Sequence, residues 1–96
     1  MVYDKLEILK DKVLFELISH ISIIDVDVKK NFDSSMNLYI KTSDLSIVDF
    51  DKIKEVEGKF TDKDYSVFIM IPDEIQVSGD IFKKNTDQVC VYLDYI

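Results

Sequence analysis

Between Ile21 and Ile24 the apolar residues change their period, and a chain that does this can be neither all helix nor all strand. Upstream, Leu6, Leu9, Val13, Leu14, Leu17 and Ile21 recur at steps of three and four, while Lys5, Lys12, Glu16 and Ser19 fall away from that stripe. The spacing predicts a helix over residues 3 to about 20. Ile8 and Phe15, seven apart, form a second stripe on roughly the opposite side, beside Asp4 and Asp11. That stripe needs a cover, from this chain or from another copy.

Downstream the period is two. Ile24, Val26 and Val28 face one way and Asp25, Asp27 and Lys29 the other, which predicts a half-buried strand over residues 23–30. Residues 31–35 are rich in turn formers, and Met36, Leu38, Ile40 and Thr42 then alternate with Asn37, Tyr39 and Lys41, so the two strands read as a hairpin. Ser43, Asp44 and Ser46 are N-cap candidates, and Ser46 with Asp49 is a loose capping box. A short helix follows, marked by Ile47, Phe50, Ile53 and Val56, with Gly58 placed for a left-handed C-cap and Phe60 beyond it.

Tyr65, Val67, Ile69 and Ile71 mark one face of a third strand and Phe68 and Met70 the other, so it reads as central and covered on both sides until Pro72 and Asp73 end it. Residues 74–82 alternate through Ile75, Val77, Gly79 and Ile81 as a fourth strand with Gly79 as a bulge, and residues 83–87 make a polar turn. Residues 88–96 alternate Val89, Val91, Leu93 and Tyr95 with Cys90, Tyr92 and Asp94 as a fifth. The expected fold is α+β in the order α-β-β-α-β-β-β: an antiparallel five-stranded sheet with two helices packed on one face. Residues 1–96 read as a single small acidic domain, 47% hydrophobic and therefore able to form a core.

Charge narrows function. With 19 acidic against 12 basic side chains the net charge is −7, which disfavours direct nucleic-acid or anionic membrane binding. Ala, Arg and Trp are absent while Ile, Lys, Asp, Phe and Tyr abound, a skew expected of an AT-rich genome such as a low-GC bacterium or its phage. Without Arg there is no bidentate fork to read guanine or clamp phosphate. Cys90 is alone, so no internal disulfide or Cys-based zinc cluster can form, and a cytoplasmic setting is expected. The charged opening residues lack a secretory apolar run, and no segment has the apolar length of a membrane span.

Motifs for catalysis fail one by one. Asp25 and Asp27 resemble the start of a calcium loop, but that register puts Lys29 at a ligand position, Lys30 where Gly is required and Met36 where a bidentate Glu belongs; Asp49 and Asp51 fail likewise, with Phe60 closing. Asp27-Val28-Lys29 and Glu57-Gly58-Lys59 have the acid-spacer-lysine form of some metal-dependent nucleases, but a converging further acid is not identifiable. His20 sits at the end of the first helix, where it suits the helix dipole, and Cys90 has only Val89 and Val91 beside it. Gly58 and Gly79 form no phosphate loop. The chain therefore reads as a non-enzyme, with no cofactor and no metal expected.

One constellation remains. If one sheet face packs on the helices, alternation puts Asp25, Asp27, Asn37, Tyr39, Phe68, Met70, Gln76, Ser78, Asp80, Cys90, Tyr92 and Asp94 on the other. Aromatic contact area combined with carboxylates suits a basic protein partner, and Asp25, Asp27, Tyr39, Phe68, Asp80, Tyr92 and Asp94 are the expected contacts. The expected function is a small acidic inhibitor that blocks a basic, nucleic-acid-handling protein such as a nuclease, as phage or mobile-element anti-defence proteins and toxin immunity proteins do. The alternative is a homo-oligomeric structural or accessory subunit, with Ile8 and Phe15 as interface candidates and the C-terminal strand pairing edge to edge with a copy of itself.

Overall fold

Leu6, Leu9, Val13 and Leu17 form the buried stripe of α1 (Lys5–Ile18), as their spacing predicts, and Ile21 joins them just past its end. The computed structural model describes residues 5–43 and 45–96; Tyr3, Asp4 and the cap candidate Asp44 lie outside them. Along the chain follow β1 (Ile23–Lys30), β2 (Met36–Thr42), a 3-10 turn (Leu45–Ile47), α2 (Phe50–Phe60), β3 (Tyr65–Met70), β4 (Glu74–Ser78), β5 (Ile81–Lys84) and β6 (Gln88–Tyr95).

The fold is α+β with antiparallel sheets, but the single five-stranded sheet is corrected to a four-stranded one, ordered β1-β2-β6-β3, and a separate β4-β5 hairpin. The run over residues 74–82 alternates as one strand would, yet it folds back on itself. Gly79 takes φ +50, a left-handed conformation that glycine adopts without steric cost, so it forms the turn rather than a bulge. The Gln76 side-chain amide closes that turn by donating to the Gly79 carbonyl, and the irregularity in register lies between Gln76 and Ser78. The base of the hairpin is closed by Asn85, whose backbone N–H donates to the Asp73 carbonyl at 2.8 Å.

β6 is interior, flanked by β2 and β3. The expected self-pairing of the C-terminal strand is therefore corrected: both its edges are already used. β3, expected to be central, is at an edge, with Phe68 and Met70 exposed. In place of a neighbouring strand it has polar side chains. Thr61 Oγ1 donates to the Val67 carbonyl (3.1 Å) and accepts from the Val67 N–H (3.2 Å), Lys54 Nζ donates to the Ile69 carbonyl (3.0 Å), and Glu57 Oε2 accepts from the Ile69 N–H (2.8 Å). Helix α2 thus closes this edge to further strands.

Both helices cover one sheet face, α1 over β6 and beside α2, and α2 against β3. Met36, Leu38, Ile40, Val67, Ile69, Val89, Val91 and Leu93 point from the sheet into that layer, where Ile53 and Val56 of α2 meet them. Glu7 ties α1 to β1: its carboxylate accepts from Lys30 Nζ at 2.8 Å and from Lys10 Nζ at 2.9 Å. These two ammonium groups, Lys30 first, lower its pKa from 4.5 to about 2.

Two local expectations change as well. Ile24 is a bulge residue, since Ile23 pairs with Thr42 and Asp25 already with Lys41; Ile23 turns inward in its place. Asp49, not Ser46, caps α2, accepting from the Asp51 N–H at 3.0 Å, and Ile47 falls outside the helix in the 3-10 turn. Gly58 lies inside α2, which continues to a C-cap at Thr61. A Cβ at Gly58 would meet nothing within 4 Å. Gly58→Ala is therefore expected to stabilise the protein by about 0.8 kcal/mol, through lower unfolded-state entropy, read as a rise in thermal midpoint of roughly 3–6 °C.

Candidate functional site

The outer face of the four-stranded sheet has no described element over it. Register places Lys29, Asn37, Tyr92 and Phe68 in one row across β1, β2, β6 and β3, and Asp27, Tyr39, Cys90 and Met70 in the next. Asp25, Lys41 and Gln88 form a third row, and Ser66 pairs with Asp94 beyond Phe68 and Tyr92. Tyr39, Phe68, Met70 and Tyr92 make a contiguous centre, each 36–51% exposed. Six of the seven expected contacts are thus brought together: Asp25, Asp27, Tyr39, Phe68, Tyr92 and Asp94.

Asp80 is not among them. It stands at the turn of the β4-β5 hairpin, and Gln76 and Ser78 leave the face with it, because the fourth strand doubles back instead of extending the sheet. Lys29 and Lys41 join the face, by the same alternation that places Asp27 and Tyr39 there. The charge on the face is therefore mixed, three Asp and two Lys around an aromatic centre.

The polar groups on this face are partly pre-set. Tyr92 Oη donates to Asp94 Oδ2 at 3.3 Å, and Asn37 Nδ2 donates to Tyr39 Oη at 3.3 Å. Lys54 Nζ lies 5.2 Å from the centroid of Phe68, a cation–π contact at the edge of the patch. A depression of about 210 Å³ lies among Tyr39, Phe68, Met70, Cys90 and Tyr92, and another of about 180 Å³ among Asp25, Asp27, Tyr39 and Lys41. Each has the volume of one or two side chains. Cys90 is half-buried between them, and that burial pushes its thiol pKa up, which opposes the thiolate a nucleophile requires.

The other candidates are dispersed. Glu57 is engaged with Lys54 and the Ile69 N–H, and Lys59 with Glu16 of α1, so the Glu57-Gly58-Lys59 tripeptide serves the fold. Asp27 and Lys29 share the open face, but among the described residues no group of three or more His, Cys, Asp or Glu could hold a metal ion. His20 is half-exposed just past α1, its backbone N–H bonded to the Leu17 carbonyl. Ile8 and Phe15 are solvent-exposed on α1, as their position opposite the core stripe requires. No described helix is long and apolar enough to cross a membrane.

A larger cleft escaped sequence reasoning. About 930 Å³ opens between α2, the end of β3 and the base of the hairpin, lined by Phe50, Ile53, Phe68, Met70 and Ile71 with Lys54 and Lys84. Phe68 and Met70 border both this cleft and the open face, so the apolar surface turns the corner at β3. Only the antiparallel return of residues 74–84 creates it, and no periodicity announces that. No protein-family model, curated protein or solved structure matches this chain.

Proposed function

We propose that this chain is a small acidic binding protein that docks its open sheet face onto a basic, nucleic-acid-handling protein and blocks it. The observation that carries the reading is the uncovered aromatic centre of Tyr39, Phe68 and Tyr92 inside a rim of Asp25, Asp27, Asp94, Lys29 and Lys41. Protein interfaces have this anatomy, an aromatic and Met-rich middle with a polar margin. The net charge of −7 supplies the long-range attraction to a basic partner and repels nucleic acid itself.

The test is capture from lysate of an AT-rich bacterial host by the tagged chain and by a Tyr39→Ser, Phe68→Ser, Tyr92→Ser triple variant, at low and high salt. The expected result is one stoichiometric nucleic-acid-handling protein, released by high salt, displaced by duplex DNA, and bound roughly a hundredfold more weakly by the variant, since buried aromatic anchors dominate such interfaces. Capture of the same proteins by both chains, or of none by the wild type, would overturn the assignment of this face.

A further inference from the structure

The two edges of the four-stranded sheet are treated differently. The β3 edge is closed by Lys54 and Glu57 of α2 and by its C-cap Thr61, whereas β1 has no described element beyond it. Which β1 groups point outward follows from the hairpin. Asn31 N–H donates to the Ser35 carbonyl at 2.9 Å, and alternation then commits Lys29, Asp27 and Asp25 to β2. Val26 and Val28 therefore turn their backbone N–H and C=O groups outward. The Val26 N–H donates to its neighbour, Asp25 Oδ1, at 3.0 Å.

The strand reads Ile-Ile-Asp-Val-Asp-Val-Lys-Lys, acids first and cations last. We propose that the β1 edge pairs antiparallel with β1 of a second copy of this chain, about a two-fold axis at Val28, to form a weak dimer with one continuous eight-stranded sheet.

Charge selects both occupant and register. Outward-facing residues must meet outward-facing residues, so only every second register is open. Centring on Val26 opposes Asp25 to Asp27 twice. A centre at Asp27 sets that carboxylate against its own copy, and one at Lys29 does the same with ammonium groups. Among centres at residues 25–30 the Val28 register alone avoids a like pair and sets Asp27 opposite Lys29 of the second copy, twice, at the closely spaced non-hydrogen-bonded positions. On the helix-side face it brings Val28, 39% exposed in the single chain, against Val28. Charged residues on an edge strand ordinarily discourage pairing; here they reject other strands and other registers but complement their own copy.

The ladder centred on Val28 is short, so a dissociation constant on the order of 100 µM is expected. Sedimentation velocity over a concentration series up to about 1 mM tests it on the wild type, Asp27→Lys, Lys29→Asp, the Asp27→Lys/Lys29→Asp double swap and Ile8→Ser/Phe15→Ser. All the substituted positions are solvent-exposed, and far-UV circular dichroism confirms that each variant is folded. The expected result is a concentration-dependent dimer that either single swap weakens at least roughly tenfold, that the double swap restores, and that the helix variant leaves intact. Hydrogen exchange at the Val28 amide should slow as concentration rises. A wild-type monomer throughout, no rescue by the double swap, or loss of the dimer only in Ile8→Ser/Phe15→Ser would overturn the proposal. The aromatic anchors of the partner-docking face are untouched in this series, so the two readings fail separately.

Discussion

Leu38→Ala is expected to lower the unfolding free energy by about 3 kcal/mol, a large share of what a domain of this size has to lose. Leu38 is fully buried on the interior strand β2, between Val28 of β1 and Val91 of β6. Truncation removes the transfer free energy of its methyl and methylene groups and leaves a cavity, which the hydrogen-bonded strands on both sides keep from collapsing. The informative control lies in the same row. Val28 faces the same layer, but on an edge strand and more than a third exposed, so Val28→Ala should cost under about 1 kcal/mol. Urea denaturation reads both, as a fall in midpoint at unchanged slope. Equal losses at the two positions would mean that β1 is as deeply packed as β2.

Asn85→Ala should cost about 2–3 kcal/mol although Asn85 belongs to no helix or strand. Its side chain is a four-way stitch. Nδ2 donates to the Pro72 carbonyl at 2.7 Å and to the Gln88 carbonyl at 2.9 Å, while Oδ1 accepts from the backbone N–H groups of Gln88 at 2.9 Å and Asp87 at 3.3 Å. Nearby, the Asp87 carbonyl accepts from Thr42 N–H at 2.7 Å and the Thr86 carbonyl from Leu45 N–H at 2.9 Å, so the same turn anchors the chain leaving β2. Alanine would leave several backbone groups short of a partner in a place where only 8% of Asn85 is exposed. Equilibrium unfolding gives the magnitude, and hydrogen exchange gives the location: protection should fall first across β4, β5 and the start of β6. A loss below about 0.5 kcal/mol would show that water replaces the amide without cost.

How much of this was legible depends on distance along the chain. The stripe of α1 and the alternation of β1, β2 and β6 were readable because burial on one side imposes a period of three to four on a helix and of two on a strand. Alternation also brought six of seven expected face residues together, since it needs no knowledge of strand order. Asp80 failed because a single left-handed Gly79 turned one apparent strand into two. Ile24 failed because a bulge shifts the phase of a strand by one residue without altering its composition. Gly58 carried a glycine's usual C-cap signal, but its outcome depended on the next turn, which Thr61 closes while bonding to Val67.

The sequence by itself determined which residues could be buried, the α+β class, the near-neutral mixture of charges along β1 and the excess of acid over the whole chain. Those are local or additive properties, set by side-chain chemistry and backbone period. Only the tertiary structure decided that β6 is interior, that side chains of α2 and its C-cap close the β3 edge, that the hairpin stands apart and opens a cleft beside Phe68 and Met70, and that no described element lies beyond β1. These are pairings between distant segments. They are chosen by competition among whole arrangements for the same buried area and the same backbone hydrogen bonds, and no window of sequence contains that competition.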